Sequence, residues 1–299
     1  MTSQFQLEWL IDDRNAGLLI REFLKNEAIS KTALTDIKFK GGNILVNGIT
    51  ENVRYKLQSG DALKVIFPPE LPSAGAKGED LPLTILYEDE FLLIVNKPAG
   101  MSTIPSREHP RGSLANALVG YYERLGWTAA PHIVTRLDRN TSGIVLVAKH
   151  RHVHHLFSLM QRKGEVNRTY EALVKGIPAH KSGVITAPIG RKGDSIIERM
   201  VREDGQYACT HYRVIKKYHT FSYIELTLET GRTHQIRVHM AHLGHPLIGD
   251  DLYGGPVTKT IHRQALHCKK IHFCHPFLRQ DMMFTAPLPD DMKQVIEAD

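Results

Sequence analysis

The chain has 299 residues, of which 42% are hydrophobic and 23% are charged, a balance typical of a globular protein with a sizeable core. Its formal net charge of +6 favours a polyanionic partner without requiring one. The cysteine count of three argues against a disulfide framework, and the lack of any run of about 18 apolar residues argues against a membrane span. Because the start of the chain also lacks a signal-peptide pattern, we predict a cytoplasmic protein.

A compact N-terminal domain is predicted over residues 12–68. Ser30 is the expected N-cap of its second helix, and Asn47-Gly48 is a strong signal for a tight turn. Apolar spacing and turn signals predict two helices and two strands in this domain, at residues 17–28, about 31–39, 44–46 and 63–67.

Residues 69–80 are rich in Pro, Gly, Ala and charge and are typical of a linker, which leaves residues 81–299 as the second domain. Because its short strands outnumber its helices and adjoin hairpin-like turns, we predict a mixed α+β fold with a largely antiparallel central sheet and flanking helices. The strands are predicted at 83–87, 91–95, 170–174, 209–214 and 221–228, and the helices at 113–125 and 152–162.

One carboxylate stands out in the second domain. Asp138 lies between Arg136 and Arg139, and the apolar run that follows Gly143 predicts a buried strand. Two flanking cations favour the ionised carboxylate, which suits attack on an electron-poor carbon or removal of a proton from one. From spacing alone, a capped turn with surface charges explains the segment equally well.

The string from Arg136 to Gly143, Arg-Leu-Asp-Arg-Asn-Thr-Ser-Gly, resembles the signature of the RluA/RluD family of pseudouridine synthases. That family usually has His where this chain has Thr135. The resemblance implies that Asp138 reacts with a uridine turned out of RNA structure. It also implies that Arg136 occupies the vacated space or contacts the adjacent phosphate. Thr141 is a candidate for substrate binding and is expected to shape the turn.

Two short strings and one tyrosine agree with this resemblance. Residues 96–101, Asn-Lys-Pro-Ala-Gly-Met, resemble the family's first motif, and residues 263–267, Arg-Gln-Ala-Leu-His, resemble its late motif. In the family the leucine of the late motif, here Leu266, packs against the site. Tyr170 by itself reads as a half-buried strand aromatic. The resemblance instead implies that Tyr170 stacks on the target uracil.

The string from Gly231 to His239, Gly-Arg-Thr-His-Gln-Ile-Arg-Val-His, is the most polar predicted strand. Alternation places Arg232 on one face and Gln235 and Arg237 on the other. Burial of such groups requires partners, and a two-sided solvated edge strand is the alternative. The resemblance implies that Arg237 pairs with Asp138, with the bidentate geometry that a guanidinium allows. Gln235 is a further candidate for substrate binding.

The N-terminal domain resembles the small RNA-binding domain named after ribosomal protein S-four, through residues 42–48 and 59–63. In that family a basic face of the helical pair contacts RNA phosphates. An ordinary solvated helix face is the alternative for any single lysine. The lysines available for this role are Lys25, Lys31, Lys38 and Lys40.

We therefore predict an RNA pseudouridine synthase that uses no cofactor and no metal and works as a monomer. Large-subunit ribosomal RNA is the expected substrate, and transfer RNA is the alternative. The seventeen histidines cluster in places, but no cluster has Cys-x-x-Cys or His-Glu-x-x-His spacing. Two other hypotheses are a non-catalytic RNA-binding or ribosome-assembly factor, against which the intact Asp138 argues, and a metal-dependent hydrolase. Whether Asp138 attacks the anomeric carbon or removes a proton from the neighbouring ribose carbon stays open.

Overall fold

The computed structural model of the protein describes residues 4–70, 77–127 and 129–298. In the first of these ranges a four-stranded antiparallel sheet in the order β1-β4-β2-β3 packs against two helices. The elements are β1 (Gln6–Leu10), α1 (Ile20–Asn26), α2 (Lys31–Phe39), β2 (Asn43–Val46), β3 (Ile49–Thr50) and β4 (Ala62–Ile66).

Local signals place most of this N-terminal unit correctly. The Ser30 hydroxyl accepts a hydrogen bond from the Ala33 amide at the start of α2, which confirms the predicted N-cap. The predicted start of the domain at residue 12 leaves out β1, which lies before that residue and pairs with β4 along its whole length. Strand β1 has only five residues, and its partner β4 follows more than fifty residues later, so no local turn signal marks it.

The rest of the described chain forms one large sheet with helices, and a small separate hairpin. The elements are β5 (Ile85–Glu88), β6 (Leu92–Lys97), α3 (Leu114–Arg124), β7 (His132–Ile133), β8 (Ser142–Ala148), α4 (Arg151–Arg162), β9 (Asn167–Lys175), β10 (Ser182–Thr186), β11 (Ile189–Arg191), β12 (Arg199–Val201), β13 (Cys209–Lys217), β14 (Phe221–Leu228), α5 (Gln235–His242), β15 (Leu266–Cys274), β16 (Asp281–Thr285) and α6 (Asp290–Glu297).

The large sheet has the strand order β10-β13-β14-β9-β15-β8-β6-β5, while β16 pairs with β15 and β7 pairs with β8. Its named pairs are antiparallel apart from β8 with β15, so the predicted α+β fold with a largely antiparallel sheet is confirmed. Strands β6 and β8 are buried almost throughout and lie at the centre of the main hydrophobic core. Within the described residues, no helix is both long enough and apolar enough to cross a membrane.

The single parallel pair positions the segment that carries Asp138. Strands β8 and β15 run in the same direction, with Ser142 opposite His267, so the loop before β8 and the start of β15 meet at one edge. Gly143 makes this approach possible: its φ is +112°, and a Cβ atom there would lie 2.3 Å from the carbonyl oxygen of Cys268. Asp138 is therefore brought close to Leu266, the first residue of β15.

The N-terminal unit docks on the large sheet through a mixed aromatic and charged contact, here called the junction (Phe5, Phe67, Glu70, His150 and Arg151). The Phe5 ring stacks on the His150 imidazole with 4.1 Å between centroids. A carboxylate oxygen of Glu70 accepts a hydrogen bond from Nε of Arg151 at 2.7 Å. Nη1 of the same guanidinium pairs with Asp36 on α2 of the N-terminal unit. Of the predicted linker, residues 71–76 lie outside the described residues.

Candidate active site

A small pocket of about 70 Å³ opens beside Asp138 at the edge where β8 and β15 begin. Asp138 lies on the loop between β7 and β8, and its side chain is 28% exposed. The backbone carbonyl of Asp138 accepts a hydrogen bond from the Thr141 amide at 3.0 Å, which closes the turn behind the carboxylate. The pocket is lined by every site residue that the sequence predicts: Arg136, Asp138, Thr141, Tyr170, Gln235, Arg237 and Leu266.

Arg237 approaches Asp138, but its main partner is a carboxylate that the sequence analysis missed. Its Nη1 lies 3.5 Å from Oδ2 of Asp138. Its Nε and Nη2 donate to the two carboxylate oxygens of Asp250, each at 2.7 Å. The bidentate geometry expected between Arg237 and Asp138 is formed with Asp250 instead, and Asp138 makes a longer, single contact. Asp250 is fully buried, so its charge depends on Arg237.

Asp250 holds the Arg237 guanidinium as a positively charged wall behind Asp138. Burial acts to lower the pKa of Arg237, but the hydrogen bonds and charge of Asp250 raise it above its ordinary value. The ring of Tyr253 lies under the guanidinium, with 4.9 Å between Cζ and the ring centroid. Held by Asp250 and Tyr253, the Arg237 guanidinium directs Nη1 at Asp138 and stays positively charged.

His234 is a second residue whose side chain faces Asp138. Its Nε2 lies 3.9 Å from Oδ2 of Asp138, and its Nδ1 is 2.8 Å from the hydroxyl of Tyr253. Burial lowers the pKa of His234, although the charge of Asp138 opposes this. The backbone of His234 is in the left-handed region, with φ 57°, which costs free energy for a residue with a side chain.

The strand predicted for residues 231–239 is wrong. The structure has a turn over residues 231–234 followed by helix α5. The Gln235 side chain accepts the Arg232 amide and so fixes the turn that starts the helix. Ile236 and Met240, four residues apart, then pack into the main core. The first six residues of α5 are all buried, including the polar Gln235, Arg237 and His239, so the sequence shows no amphipathic helical period.

Tyr170 and Leu266 form the apolar side of the pocket. Both are only 4% exposed, and both have atoms on the pocket surface. The Tyr170 hydroxyl accepts a hydrogen bond from Nη1 of Arg168 at 3.0 Å. Burial raises the pKa of Tyr170. The tyrosine therefore remains neutral and offers the pocket a ring edge or face rather than a charge.

Thr141 and Gln235 line the pocket, but the protein itself engages their polar groups. The Thr141 hydroxyl accepts from Nε2 of Gln264 at 3.1 Å. Gln235 donates through its amide nitrogen to Thr210 and to the carbonyl of Cys209, and its amide oxygen accepts the Arg232 amide. Gln235 thus links the start of α5 to β13 by hydrogen bonds.

The two arginines beside Asp138 have different environments. Arg136 is exposed, and in the part of the chain that the structure describes its guanidinium has no hydrogen-bonded or ion-paired partner. Arg139 donates through Nε to the carbonyl of Gly100 at 3.1 Å and lies 3.0 Å from Nε2 of His109. Arg136 is therefore free to contact a ligand, whereas Arg139 ties together two loops.

Lys97 is a buried cation whose place in the site the sequence did not reveal. Its ammonium is completely buried and donates to the carbonyls of Pro98, Met101 and Arg139. Burial lowers the pKa of Lys97 to about 7, although the charge of Asp138 acts to raise it. Lys97 joins the end of β6 to the loop that carries Asp138. The sequence indicates that a strand ends near Lys97, because Pro98 follows it. It does not predict the three carbonyl groups to which the Lys97 ammonium donates.

Comparison with known proteins covers the part of the chain that carries this site. The family model for RNA pseudouridylate synthase matches residues 91–242, which include Asp138, Tyr170 and Arg237. The chain is 51% identical to "Uncharacterized RNA pseudouridine synthase YjbO" of Bacillus subtilis (strain 168), over 94% of this chain and 99% of that protein. It is 35% identical to "Ribosomal large subunit pseudouridine synthase D" of Haemophilus influenzae, over 84% of this chain and 81% of that protein.

Among solved structures, "Human RNA Pseudouridylate Synthase Domain Containing 4" has the same fold. Its TM-score is 0.58 at 22% identity, and the match covers 72% of this chain and 92% of that one. The similarity over nearly the whole length of the bacterial relatives then identifies the family. The chain belongs to the RNA pseudouridylate synthase family and is an isomerase, an RNA pseudouridine synthase.

Proposed function

We propose that the protein isomerises specific uridines in large-subunit ribosomal RNA, with Asp138 as the reacting carboxylate. One observation carries this proposal: Asp138 has the Arg237 guanidinium at 3.5 Å and the His234 imidazole at 3.9 Å on one side, and an open pocket on the other. A carboxylate used only for structure would be expected to have its oxygens fully engaged. Asp138 instead keeps acceptor capacity directed at a space where a ligand fits.

The reaction breaks the bond between N1 of uracil and C1′ of ribose, rotates the base, and forms a bond between C5 and C1′. The proton on C5 leaves and N1 gains one, so the atoms balance without an oxidant or a reductant. Positive charge develops at C1′ when the first bond breaks, as in glycoside cleavage. Asp138 either attacks C1′ or removes a proton from C2′. Both routes need the ionised carboxylate, and the Arg237 guanidinium lies beside it.

The other pocket residues have separate proposed roles. Tyr170 stacks on the uracil and Leu266 packs against it, since base–aromatic stacking contributes about 1–3 kcal/mol. Arg136, free and exposed, fills the space that the flipped nucleotide leaves or binds its phosphate. Thr141 and Gln235 were predicted to bind substrate. Because their polar groups are engaged by the protein, we propose that they shape the pocket wall.

A basic groove of about 420 Å³ adjoins the pocket and supports an RNA substrate. Its four arginines are Arg136, Arg191, Arg199 and Arg232. The one carboxylate in its lining, Asp204, is paired with the Arg202 guanidinium. Such a groove favours a strand of phosphates leading to the nucleotide at Asp138. Neutralising one of these arginines is expected to lower the salt dependence of RNA binding by about one phosphate contact.

The N-terminal unit is proposed as an accessory RNA-binding domain of the ribosomal protein S-four type, and residues 81–299 as the catalytic domain. The four lysines predicted for RNA contact are all exposed, although Lys40 also pairs with Asp36 at 2.9 Å. Ribosomal RNA is favoured as the substrate because relatives are named ribosomal large subunit pseudouridine synthase D. Transfer RNA is the alternative substrate. A cytoplasmic monomer that uses no cofactor remains our prediction.

The test is to map pseudouridine in cellular RNA with the gene deleted and then restored. We expect one or a few positions in large-subunit ribosomal RNA to lose the modification and to regain it with the wild-type gene. Asp138→Asn should not restore it, whereas Asp281→Asn, a matched change at an exposed carboxylate on β16, should. A full return of the modification with Asp138→Asn would contradict the catalytic role. A loss confined to transfer RNA would contradict the ribosomal substrate alone.

A further inference from the structure

A second cluster of reactive side chains lies on β13 and at the end of β14. Cys209 and His211 are two residues apart on β13 and so lie on the same face. Glu229 follows β14 directly on the neighbouring antiparallel strand, where Thr210 pairs with Leu228. The Cys209 Sγ is 3.7 Å from Nε2 of His211, and that nitrogen is 2.7 Å from Oε1 of Glu229.

We propose that Cys209, His211 and Glu229 bind a zinc ion. Thiolate, imidazole and carboxylate are the ligands that Zn²⁺ takes in proteins, with Zn–S near 2.3 Å and Zn–N near 2.0–2.1 Å. Tetrahedral geometry at those lengths separates sulfur from nitrogen by about 3.6 Å, close to the 3.7 Å found here. The nitrogen–oxygen distance must widen to about 3.3 Å, and Glu229 is exposed enough to move.

The cluster combines a fixed ligand with two accessible ones. Cys209 is only 2% exposed. Its amide donates to the Thr230 hydroxyl, and its carbonyl accepts from Gln235. The side chains of His211 and Glu229 are 42% and 53% exposed, so an ion can enter from solvent and keep a water as its fourth ligand. Across residues 4–70, 77–127 and 129–298, this is the one group of three such ligands close enough to share an ion.

The proposed ion would stabilise the edge on which α5 begins. Gln235, the first residue of α5, is hydrogen-bonded to the Cys209 carbonyl, and Arg232 donates to the carbonyl of Tyr207. An ion on Cys209 and His211 would therefore hold the strand that supports the turn before Arg237. This role is structural and does not depend on which residue performs the isomerisation. Binding displaces the thiol proton of Cys209, which passes to the buffer.

The experiment uses the full-length protein after treatment with a chelator. Zn²⁺ is titrated by calorimetry, and Co²⁺ is titrated by absorption, which reports a thiolate ligand through its charge-transfer band. We expect one ion per chain, proton release on binding, an affinity that rises with pH, and a higher melting temperature with Zn²⁺. Mg²⁺, which prefers oxygen ligands, should not compete.

Three variants and one control decide the proposal. Cys209→Ser should abolish the charge-transfer band, and Cys209→Ser, His211→Gln and Glu229→Gln should each weaken the affinity by about tenfold or more. Cys274→Ser removes an exposed free thiol elsewhere and should change nothing. If the buried Cys209→Ser variant fails to fold, the two exposed positions still give the answer. Lack of binding with one-to-one stoichiometry, or unchanged binding in the variants, would overturn the proposal.

Discussion

The pocket around Asp138 and the junction around Glu70 contain the same chemical groups at different distances from the carboxylate. In both places a carboxylate faces an arginine and a histidine. Glu70 is 7% exposed, with Arg151 at 2.7 Å and His132 at 2.6 Å. Asp138 is 28% exposed, with the Arg237 guanidinium at 3.5 Å and the His234 imidazole at 3.9 Å. The first carboxylate is fully engaged, whereas the second has free acceptor capacity.

The difference separates a structural ion pair at Glu70 from the carboxylate that we propose reacts, Asp138. Burial acts to raise the pKa of Glu70, but the hydrogen bond from His132 and the surrounding charges lower it to about 2. Such a group is satisfied and has nothing left to offer a ligand. At the pocket, the tight bidentate bond belongs to Asp250 instead. Asp250 thereby holds Arg237 in place and leaves Asp138 available.

The largest expected effect comes from breaking the wall behind Asp138. Arg237→Met leaves the buried Asp250 without a partner, which should lower the free energy of unfolding by about 3–5 kcal/mol. It should also reduce isomerisation by roughly 100-fold, because Asp138 loses its positioned cation. Urea denaturation and single-turnover rates on RNA measure the two effects.

A double variant separates these two consequences. Arg237→Met with Asp250→Leu removes both charges, so stability should return towards that of the wild type while activity stays low. Recovery of activity together with stability would mean that Arg237 only supports the fold.

The next effect is expected at the junction. Glu70→Gln should lower the free energy of unfolding by about 1–3 kcal/mol, because His132 and Arg151 lose a charged, buried acceptor. The isomerisation rate per folded molecule should not change. Asp12→Asn, at an exposed pair with Arg14, is the control and should leave stability unaltered. If Glu70→Gln changed the isomerisation rate by more than a few-fold, Glu70 would also contribute to the reaction, which would contradict the contrast drawn between the two carboxylates.

Acid should weaken the junction. Burial lowers the pKa of His150 to about 3 and of His152 to about 4, from a usual 6.5. The unfolded chain therefore binds more protons, and the free energy of unfolding should fall as the pH drops below about 6.5. Glu70 adds a further loss below its unfolded value of 4.5. Urea denaturation at several pH values measures the slope, which His150→Gln should reduce; an unchanged slope would contradict the assignment.

The smallest effect is expected for Tyr170→Phe. The ring and its stacking surface remain, and only the hydrogen bond from Arg168 is lost. Turnover should stay within a few-fold of wild type, while Tyr170→Leu should raise KM through lost stacking, worth about 1–3 kcal/mol. A large loss of turnover in Tyr170→Phe would point to a role for the hydroxyl.

The sequence predicts well those parts of the molecule that local signals determine. The helix predicted over residues 113–125 forms α3, where the Ser113 hydroxyl accepts a hydrogen bond from the Asn116 amide, and the apolar run after Gly143 forms the buried strand β8. The seven predicted site residues meet in one pocket, and six of them come from short recognisable strings. The pairing of β8 with β15, which joins these strings, depends on residues more than a hundred positions apart.

What the sequence could not predict depends on burial and distant partners. The first six residues of helix α5 are buried whether apolar or polar, so its sequence gives no amphipathic pattern. Asp250 reads as an ordinary acidic turn residue after Gly249, and only the fold places it on Arg237. The Cys209–His211–Glu229 cluster is likewise invisible, because its third member comes from the neighbouring strand. Hydrogen-bond partners across strands are set by register, which short motifs do not encode.

The most direct measurement compares Asp138→Asn and Glu70→Gln in one assay series. Each purified variant is tested for pseudouridine formation per folded molecule and for the free energy of unfolding. We expect Asp138→Asn to bind RNA and retain stability while losing all turnover, and Glu70→Gln to lose stability while retaining turnover. Residual turnover by Asp138→Asn above a wild-type contamination control, or loss of turnover by folded Glu70→Gln, would contradict this account.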